Sequence, residues 1–267
     1  MNYFDALILS VVEGVTEFLP ISSTGHLILT AKFLSLTHSN FLSSFKIFIQ
    51  LGAILAVVLI YAEIIWHDRA LLKKIIIAFL PTAIIGLTFY SFVKKYLLGN
   101  TLVTLLALLF GGILLIIFER WYQTKPARMN IRSDGQAPKS NLSQLNFKQA
   151  FIIGIAQSLA MIPGVSRAGA TIIGGLGLGL DRASAVKFSF LLAIPTVLAA
   201  TALDLFKSEF VFSGQEFYLL AIGFFGAFIT AFFTVKYFLK FIRSHSFVSF
   251  GIYRIILAIG FFILIGI

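Results

Sequence analysis

The sequence predicts an all-α integral membrane protein with about six transmembrane helices and two re-entrant helical hairpins in an inverted-topology repeat. Three observations lead to this fold class. The chain is 59% hydrophobic and only 12% charged, well outside the composition of soluble globular proteins. It contains several apolar stretches that are long enough to cross a bilayer. Two further apolar stretches are interrupted near their middle by Pro, Ser and Gly.

Six stretches meet the requirement of about 20 mostly apolar residues for a bilayer-spanning helix. They are residues 42–65, 72–93, 101–119, 188–206, 216–239 and 248–267, and Pro195 is predicted to bend the fourth. Residues 4–34 and 147–180 are the interrupted stretches, and each of their halves is too short to cross alone. We predict that each forms a re-entrant hairpin, because a polar turn at membrane depth is tolerated where protein or a water-filled cavity surrounds it.

The two interrupted stretches resemble each other. Residues 4–20 and 147–163 both begin with Phe and end with Pro, at a constant offset of 143 residues, and three predicted spans follow each. We therefore predict one membrane domain made of two repeats, residues 1–121 and 147–267, joined by a linker loop at 122–146. Three crossings would invert the second repeat relative to the first, and the sites of inverted repeats lie between the repeats near the middle of the membrane.

The net charge of +10 is attributed to loops on the cytoplasmic side and not to a nucleic-acid partner. On one predicted side of the membrane the loops carry 14 Lys and Arg residues, against 5 on the other side. This asymmetry places the linker in the cytoplasm and both termini outside, as in a protein of an inner (cytoplasmic) membrane. The chain has no cysteine, which excludes disulfides and thiolate metal sites. A homodimer is compatible with the sequence.

Two acids lie within the first interrupted stretch, in the segment EGVTEFLPISSTGH (residues 13–26). Glu13 and Glu17 are four residues apart, so on a helix they share one face, with Cβ atoms about 5–6 Å apart. Two such carboxylates repel each other at low dielectric unless one is protonated or a cation bridges them. We predict that they hold a divalent metal ion, or that one acts as a base. The alternative is an interfacial helix with its acids in water.

Both interruptions are followed by a predicted helix start. Ser22 or Ser23 can cap the helix after Pro20, and Ser166 can cap the helix whose first turn contains Arg167. If the two helix starts meet, their free N–H groups, the hydroxyls and the arginine form an anion site, most naturally for phosphate. A lone arginine at this depth needs a partner, so the alternative role of Arg167 is a structural pair with one of the acids.

His26 lies one turn into the second half of the first hairpin and reaches the same space. It is a candidate base, metal ligand or phosphoryl acceptor, and the alternative is a histidine satisfied within the core. His38, His67 and His245 fall in predicted loops and are assigned no role. Arg254 lies in the last predicted span, and the sequence does not decide between a structural role and one at the membrane interface.

The segments EGVTEFLPISSTGH and PGVSRAGAT (residues 163–171) are similar to the two signature segments of the undecaprenyl pyrophosphate phosphatase family, also called the bacitracin-resistance protein family. FSFLLAIPTVLAATALDL (residues 188–205) resembles a third segment, and the resemblance covers the full length. It implies a membrane enzyme that hydrolyses undecaprenyl pyrophosphate to undecaprenyl phosphate and phosphate, recycles the lipid carrier for cell-wall synthesis and confers bacitracin resistance. It also implies a site open to the outer side of the membrane and a divalent cation, Mg²⁺ or Ca²⁺.

The resemblance assigns roles to the matching positions of this chain. The implied catalytic residues are Glu13, Glu17, Ser23, His26 and Arg167, with the cation on Glu13 and Glu17; the implied substrate-binding residues are Ser22, Thr24, Ser166 and Thr171. Ala168 stands where relatives often have a serine, and Lys187 where they often have an acid, so no role is carried over to these two positions.

The expected mechanism leaves the identity of the nucleophile open. Arg167 and the helix N-termini would hold the pyrophosphate while the acid pair positions the cation. Either His26 or Ser23 is the nucleophile, or His26 activates a water molecule. A flippase or transporter of polyprenyl phosphates would use the same phosphate site and is the second hypothesis. A type 2 phosphatidic acid phosphatase is disfavoured, because no Lys and Arg-Pro pair precedes His26.

Overall fold

The computed structural model describes residues 1–37, 39–97, 100–124, 141–207 and 213–265, which contain eleven α-helices and no strand. In chain order the helices are α1 (Tyr3–Thr16), α2 (Ser23–Phe33), α3 (Asn40–Ile60), α4 (Ala62–His67), α5 (Arg69–Phe92), α6 (Thr101–Gln123), α7 (Phe147–Ser158), α8 (Arg167–Gly177), α9 (Arg182–Lys207), α10 (Gly214–Phe241) and α11 (Val248–Ile265). A π-helical turn, Val93–Leu97, follows α5, and short 3₁₀ turns at Asn141–Gln144 and Leu159–Met161 flank α7.

Among the described residues, five helices are long and apolar enough to cross a membrane, namely α3, α5, α6, α9 and α10. The chain is therefore an all-α, multi-pass membrane protein, as predicted. The sixth predicted span corresponds to α11, whose segment Val248–Leu264 falls among the shorter apolar helices of the described chain. Residues 266 and 267, which complete that prediction, lie outside the described ranges.

Two of the helix boundaries that differ from the hydropathy prediction have a clear local cause. The predicted span 42–65 is a single helix only as far as Ile60, because Tyr61 leaves the helical conformation (φ −110°, ψ 16°) before α4 begins. The fourth span begins at Arg182 and not at residue 188, because Asp181 accepts hydrogen bonds from the N–H and the hydroxyl of Ser184 and so caps the helix. The residues of this first turn are largely polar, so a prediction from hydropathy places the start of the helix too late.

Both interrupted stretches form two helices joined by a turn. α1 and α7 each begin with a capping box. Pro20 lies between α1 and α2, and Pro163 lies between α7 and α8. Ser22 and Ser166 cap α2 and α8 through their side-chain oxygens, as the sequence predicts. We refer to the residues between α1 and α2 as the first break and to those between α7 and α8 as the second break.

Helices from the first half of the chain pack mainly against helices from the second half. α1, from the first half, lies along α10 from the second, and α7, from the second half, lies along α5 from the first. α3 packs on α9, and α6 packs on α11. Two related units would give such reciprocal contacts. The inverted orientation and the boundaries of the repeats stay predictions, and most of the predicted linker 122–146 lies outside the described residues.

The core that positions the two breaks is built around α9. Phe188, Phe190 and Leu192 of this helix are almost completely buried. Phe18, in the first break, packs edge-on against Phe190 with ring centroids 5.2 Å apart, and α8 of the second hairpin also packs on α9. Both hairpins are thus anchored on one central helix, whereas α5 exposes most of its apolar surface, as a lipid-facing helix does.

Candidate functional site

The first and second breaks lie next to each other. Ser166 Oγ, at the start of α8, donates to the carbonyl of Leu19 in the first break at 3.3 Å. Arg254, from α11, connects both breaks, since Nη1 donates to the carbonyl of Pro20 (3.2 Å) and Nη2 to that of Gly164 (2.9 Å). The predicted meeting of the two helix starts is therefore present in the structure.

Arg254, whose role the sequence left open, is a structural cation in this arrangement. It is buried, and it also donates to the carbonyls of Ala107 and Leu108 in α6, at 3.0 and 3.3 Å. Gly111 makes room for it, because a Cβ at that position would overlap Nη2. Gly164 has φ +96°, a conformation that favours glycine, so its carbonyl is turned out of any helical pattern. Arg254 satisfies carbonyls that a broken helix leaves without partners.

Glu17 contacts two of the other predicted catalytic residues, Ser23 and Arg167. Its Oε1 lies 3.1 Å from Arg167 Nη2, and its Oε2 accepts a hydrogen bond from Ser23 Oγ. All three side chains are largely buried. The sequence offered a structural ion pair with an acid as the alternative role of Arg167, and this pair is present. It belongs to the same arrangement, in which Arg167 holds the Glu17 carboxylate and the Ser23 hydroxyl donates to that carboxylate.

Contacts with α9 fix the orientation of Arg167. Nη1 donates to the carbonyl of Ser189 at 2.8 Å, and the guanidinium carbon lies 5.8 Å from the centre of the Phe18 ring. The Thr171 hydroxyl lies 2.7 Å from that of Ser189 and donates to the carbonyl of Arg167 at 2.9 Å. Thr171, a predicted substrate-binding residue, therefore uses its hydroxyl to support Arg167. Nε of Arg167 has no hydrogen-bond partner among the described residues.

Glu13 lies in the same region without a partner of its own. It is completely buried, and neither of its carboxylate oxygens has a hydrogen-bond partner in the described part of the chain. Its charged neighbours include Glu17 and Arg167. A buried carboxylate with unsatisfied oxygens is costly, so these atoms are expected to meet a proton or a cation when the site is in use.

Glu13 has free oxygens for a cation that would be shared with a bound phosphate group. The described residues contain no group of three or more His, Cys, Asp or Glu side chains that could enclose a metal ion. Mg²⁺ is commonly bound by one or two carboxylates together with phosphate oxygens and water. Glu13 offers two free oxygens for this purpose, whereas both oxygens of Glu17 are already engaged by Arg167 and Ser23.

His26 contacts a different set of residues. Its Nδ1 lies 2.7 Å from the carbonyl oxygen of Ser22, and its Nε2 lies 2.8 Å from the hydroxyl of Tyr253. A carbonyl only accepts, so Nδ1 carries the hydrogen, and Nε2 of the neutral ring accepts from the tyrosine; this tautomer is assigned from the hydrogen-bond partners. Both nitrogens are therefore engaged within the protein, in contrast to Ser23, whose hydroxyl bonds a carboxylate that can act as a base.

Two grooves start beside the first break. The large groove, of about 840 Å³, lies between α1, α10 and α11, and the small groove, of about 400 Å³, lies between α1, α2 and α11. Leu19 and Ile21 of the first break line the large groove, together with aromatic side chains of α10 and α11. His26 lines the small groove, and Tyr253 lines both. An extended apolar surface thus reaches the edge of the polar site.

Sequence reasoning gave no role to two residues of this arrangement and left a third undecided. Ser189 lies in the family-like segment 188–205 but was assigned no role, and no local pattern marks Tyr253 in its apolar helix. Arg254 carried a signal, a charge within an apolar span, but its partners are backbone carbonyls and could not be inferred from side-chain types.

Two further residues of the sequence analysis remain to be placed. Thr24, a predicted substrate-binding residue, is partly exposed next to Ser23, and His38 lies outside the described residues.

Comparison with known proteins gives a full-length relationship. A family model described as bacitracin resistance protein BacA matches residues 6–260. A protein named undecaprenyl-diphosphatase from Aquifex aeolicus (strain VF5) is 49% identical over 259 residues, 97% of each chain. Proteins of the same name from Sulfurihydrogenibium sp. (strain YO3AOP1) and Campylobacter fetus subsp. fetus (strain 82-40) are 46% and 47% identical, over 98% and 99% of this chain and 99% and 100% of their own lengths. With a match of this extent, the chain belongs to the bacitracin resistance protein BacA family.

Proposed function

We propose that this protein hydrolyses undecaprenyl pyrophosphate to undecaprenyl phosphate and inorganic phosphate, which recycles the lipid carrier of cell-wall synthesis and underlies bacitracin resistance. The observation that carries the proposal is the contact of Glu17 with both Ser23 and Arg167, beside an apolar groove. Close relatives are named undecaprenyl-diphosphatase. Those names give no support to the flippase hypothesis.

Ser23 is the proposed nucleophile. Glu17 accepts the proton of Ser23 while Oγ attacks the terminal phosphorus, and the bond from that phosphorus to the bridging oxygen breaks, so that undecaprenyl phosphate leaves. Water then attacks the phosphoserine, and Oγ leaves with the proton returned by Glu17. The protons of that water remain with the inorganic phosphate. The existing hydrogen bond between Ser23 and Glu17 supports this route over one through His26.

Arg167 is proposed to bind the phosphate groups of the substrate while it keeps its ion pair with Glu17. Its unpartnered Nε–H is a donor for a phosphate oxygen, and its charge offsets the charge that develops during phosphoryl transfer. The starts of α2 and α8 approach the same region, and the N-terminal ends of helices favour anions. Ser22 and Ser166 keep these helix starts in place as caps.

Glu13 is proposed to hold a divalent cation, Mg²⁺ or Ca²⁺, with Glu17 close by and phosphate oxygens as further ligands. The unpartnered oxygens of Glu13 support this assignment. When bound, such a cation neutralises part of the charge of the pyrophosphate and of the transition state.

The large groove is the proposed place of the prenyl chain. It is lined mainly by apolar and aromatic side chains, and it begins at Leu19 and Ile21, next to the helix starts that would hold the pyrophosphate. A lipid pyrophosphate needs such a neighbouring apolar surface, because its charged and apolar parts are joined end to end. The chain would then leave the site toward the bilayer between α10 and α11.

The bacterial cytoplasmic membrane is the proposed location, with the first hairpin entering from the outer side. Support comes from the Lys- and Arg-rich loops, which belong in the cytoplasm. The chain has no cysteine, so single cysteines can be introduced at Ser213 and Ser244, on opposite predicted sides. A membrane-impermeant thiol reagent added to intact cells should label the first and spare the second. The reverse pattern would overturn the orientation.

Phosphate release by the purified protein tests the reaction itself. The wild type should release phosphate from undecaprenyl pyrophosphate in detergent, and Ser23→Ala should reduce the rate to background. Thr88→Val is the matched control, because Thr88 is exposed on α5 and its hydroxyl bonds within its own helix. A wild type that releases no phosphate would refute the proposed function.

A further inference from the structure

Tyr253 connects the polar site with the two grooves. Its hydroxyl lies 2.8 Å from His26 Nε2, and the two rings are nearly parallel, with an interplanar angle of 9° and centroids 5.5 Å apart. Its ring lines both grooves, and the residue is 43% exposed. The reaction proposed above gives the hydroxyl of Tyr253 no role.

The hydroxyl of Tyr253 completes the hydrogen bonding of His26. The carbonyl of Ser22 requires a hydrogen on Nδ1, so the buried Nε2 is left as an acceptor that needs a donor. Tyr253 supplies that donor. Without it, the ring would keep a buried acceptor unsatisfied or would turn to find another donor, and the bond to Ser22 would be weakened.

The bond between His26 and Ser22 bears on the geometry of the nucleophile. Ser22 has φ 72° and ψ 93°, a conformation that is unfavourable for a residue with a Cβ and persists only where its surroundings hold it. The peptide that follows its carbonyl belongs to Ser23, whose hydroxyl must meet Glu17. A turn of this peptide moves Ser23 Oγ, and small errors in the position of a nucleophile lower the rate strongly.

We propose that Tyr253 is a positioning residue: it holds His26 with Nδ1 protonated and thereby fixes the strained turn at Ser22 that presents Ser23 to Glu17. The kinetic part of this inference rests on the proposed function, whereas the contact between Tyr253 and His26 can be measured without it. If Tyr253 only formed a wall of the grooves, the enzyme would need the ring for activity, and loss of the hydroxyl alone would leave kcat unchanged.

Tyr253→Phe separates these roles, because it removes the hydroxyl and keeps the ring. Tyr218→Phe is the matched control, since Tyr218 lies on α10, is 64% exposed and lines neither groove. With undecaprenyl pyrophosphate as substrate, we expect Tyr253→Phe to lower kcat about fivefold, as for the loss of one hydrogen bond, with KM unchanged. Tyr218→Phe should match the wild type in both parameters.

A second readout follows the histidine directly. The chain has four histidines, so ¹⁵N-histidine labelling gives a short spectrum, in which His26→Asn identifies the His26 signals. Tyr253→Phe should shift the Nε2 signal of His26 to that of an acceptor without a donor, and Tyr218→Phe should leave it in place. An unchanged His26 signal in Tyr253→Phe, or a kcat equal to that of Tyr218→Phe, would overturn the proposal. If the wild type releases no phosphate, the proposed function fails, and the His26 signal alone then decides the contact.

Discussion

Arg167 and Glu17 form an ion pair, with Nη2 3.1 Å from Oε1, that joins the two hairpins across 150 residues of sequence. Each charge would be costly if it were buried alone, so the pair makes the two hairpins depend on each other. Ser23 and the carbonyl of Ser189 complete the arrangement from α2 and α9. The site is therefore assembled only when both halves of the chain are docked on the central helix.

Glu17→Gln should abolish most of the activity while the protein stays folded. The amide keeps the shape of the side chain, but it cannot take the proton of Ser23, and it leaves Arg167 without its counter-charge. We expect kcat to fall about 10²–10⁴-fold, the range for loss of a general base. Phosphate release measures the rate, and circular dichroism checks the helical content. Glu63→Gln, an exposed acid in α4, is the control that should behave as the wild type. A kcat for Glu17→Gln within about twofold of the wild type would refute a role as base.

A phosphoserine intermediate should be detectable on Ser23. After rapid mixing with substrate labelled in its terminal phosphate and quenching in acid, the wild type should carry label, and Ser23→Ala should carry none. His26→Asn should still be labelled, because both nitrogens of His26 bond within the protein. Label that persists in Ser23→Ala, or a wild type without label at any mixing time, would exclude the serine route. The second result would favour direct attack by water.

The hairpins and the acid–arginine contact could be predicted because their signals are local. Pro20 and Pro163 interrupt apolar stretches that are otherwise helical, and charged residues inside such stretches stand out. The resemblance then assigned Glu17, Ser23 and Arg167 to one site, and the structure brings these three into contact.

The parts that escaped prediction depend on contacts distant in sequence. Tyr253 meets His26 across 227 residues, and Arg254 meets the carbonyl of Pro20 across 234. No side-chain pattern encodes a bond to a carbonyl, because every residue has one. The same limit explains why Thr171 was predicted to bind substrate. Its hydroxyl instead bonds the carbonyl of Arg167 and the hydroxyl of Ser189, so it is not available to a ligand.

Glu13→Gln should change the response to divalent cations in two ways. Without such ions, it should raise the melting temperature, because it replaces a buried carboxylate that has no hydrogen-bond partner among the described residues with a neutral group. With Mg²⁺ or Ca²⁺ added, the wild type should gain stability, about 2.7 kcal/mol at a hundredfold excess over Kd, and the variant should not. Thermal unfolding with and without a chelator measures both effects, with Glu63→Gln again as the control. A wild type whose melting temperature and phosphate release both ignore the chelator would contradict the cation assignment.

Arg254→Leu should lower both stability and activity, although Arg254 takes no part in the proposed chemistry. It leaves the carbonyls of Pro20 and Gly164 without their donor, at a cost of about 1–3 kcal/mol for each buried group. The two breaks would separate, and Ser23 and Arg167 with them. The expected result is a lower melting temperature together with a lower kcat.

Gly111→Ala should reproduce that result from the opposite helix, because the added methyl group takes the place of the Arg254 guanidinium. Gly260→Ala is the matched control: a Cβ at Gly260, in α11, would have no atom within 4 Å, and alanine is the better helix former. The losses in the double variant Arg254→Leu, Gly111→Ala should be far from additive, since both changes remove one contact. If Gly111→Ala were tolerated as well as Gly260→Ala, Arg254 could not be what holds the two breaks together.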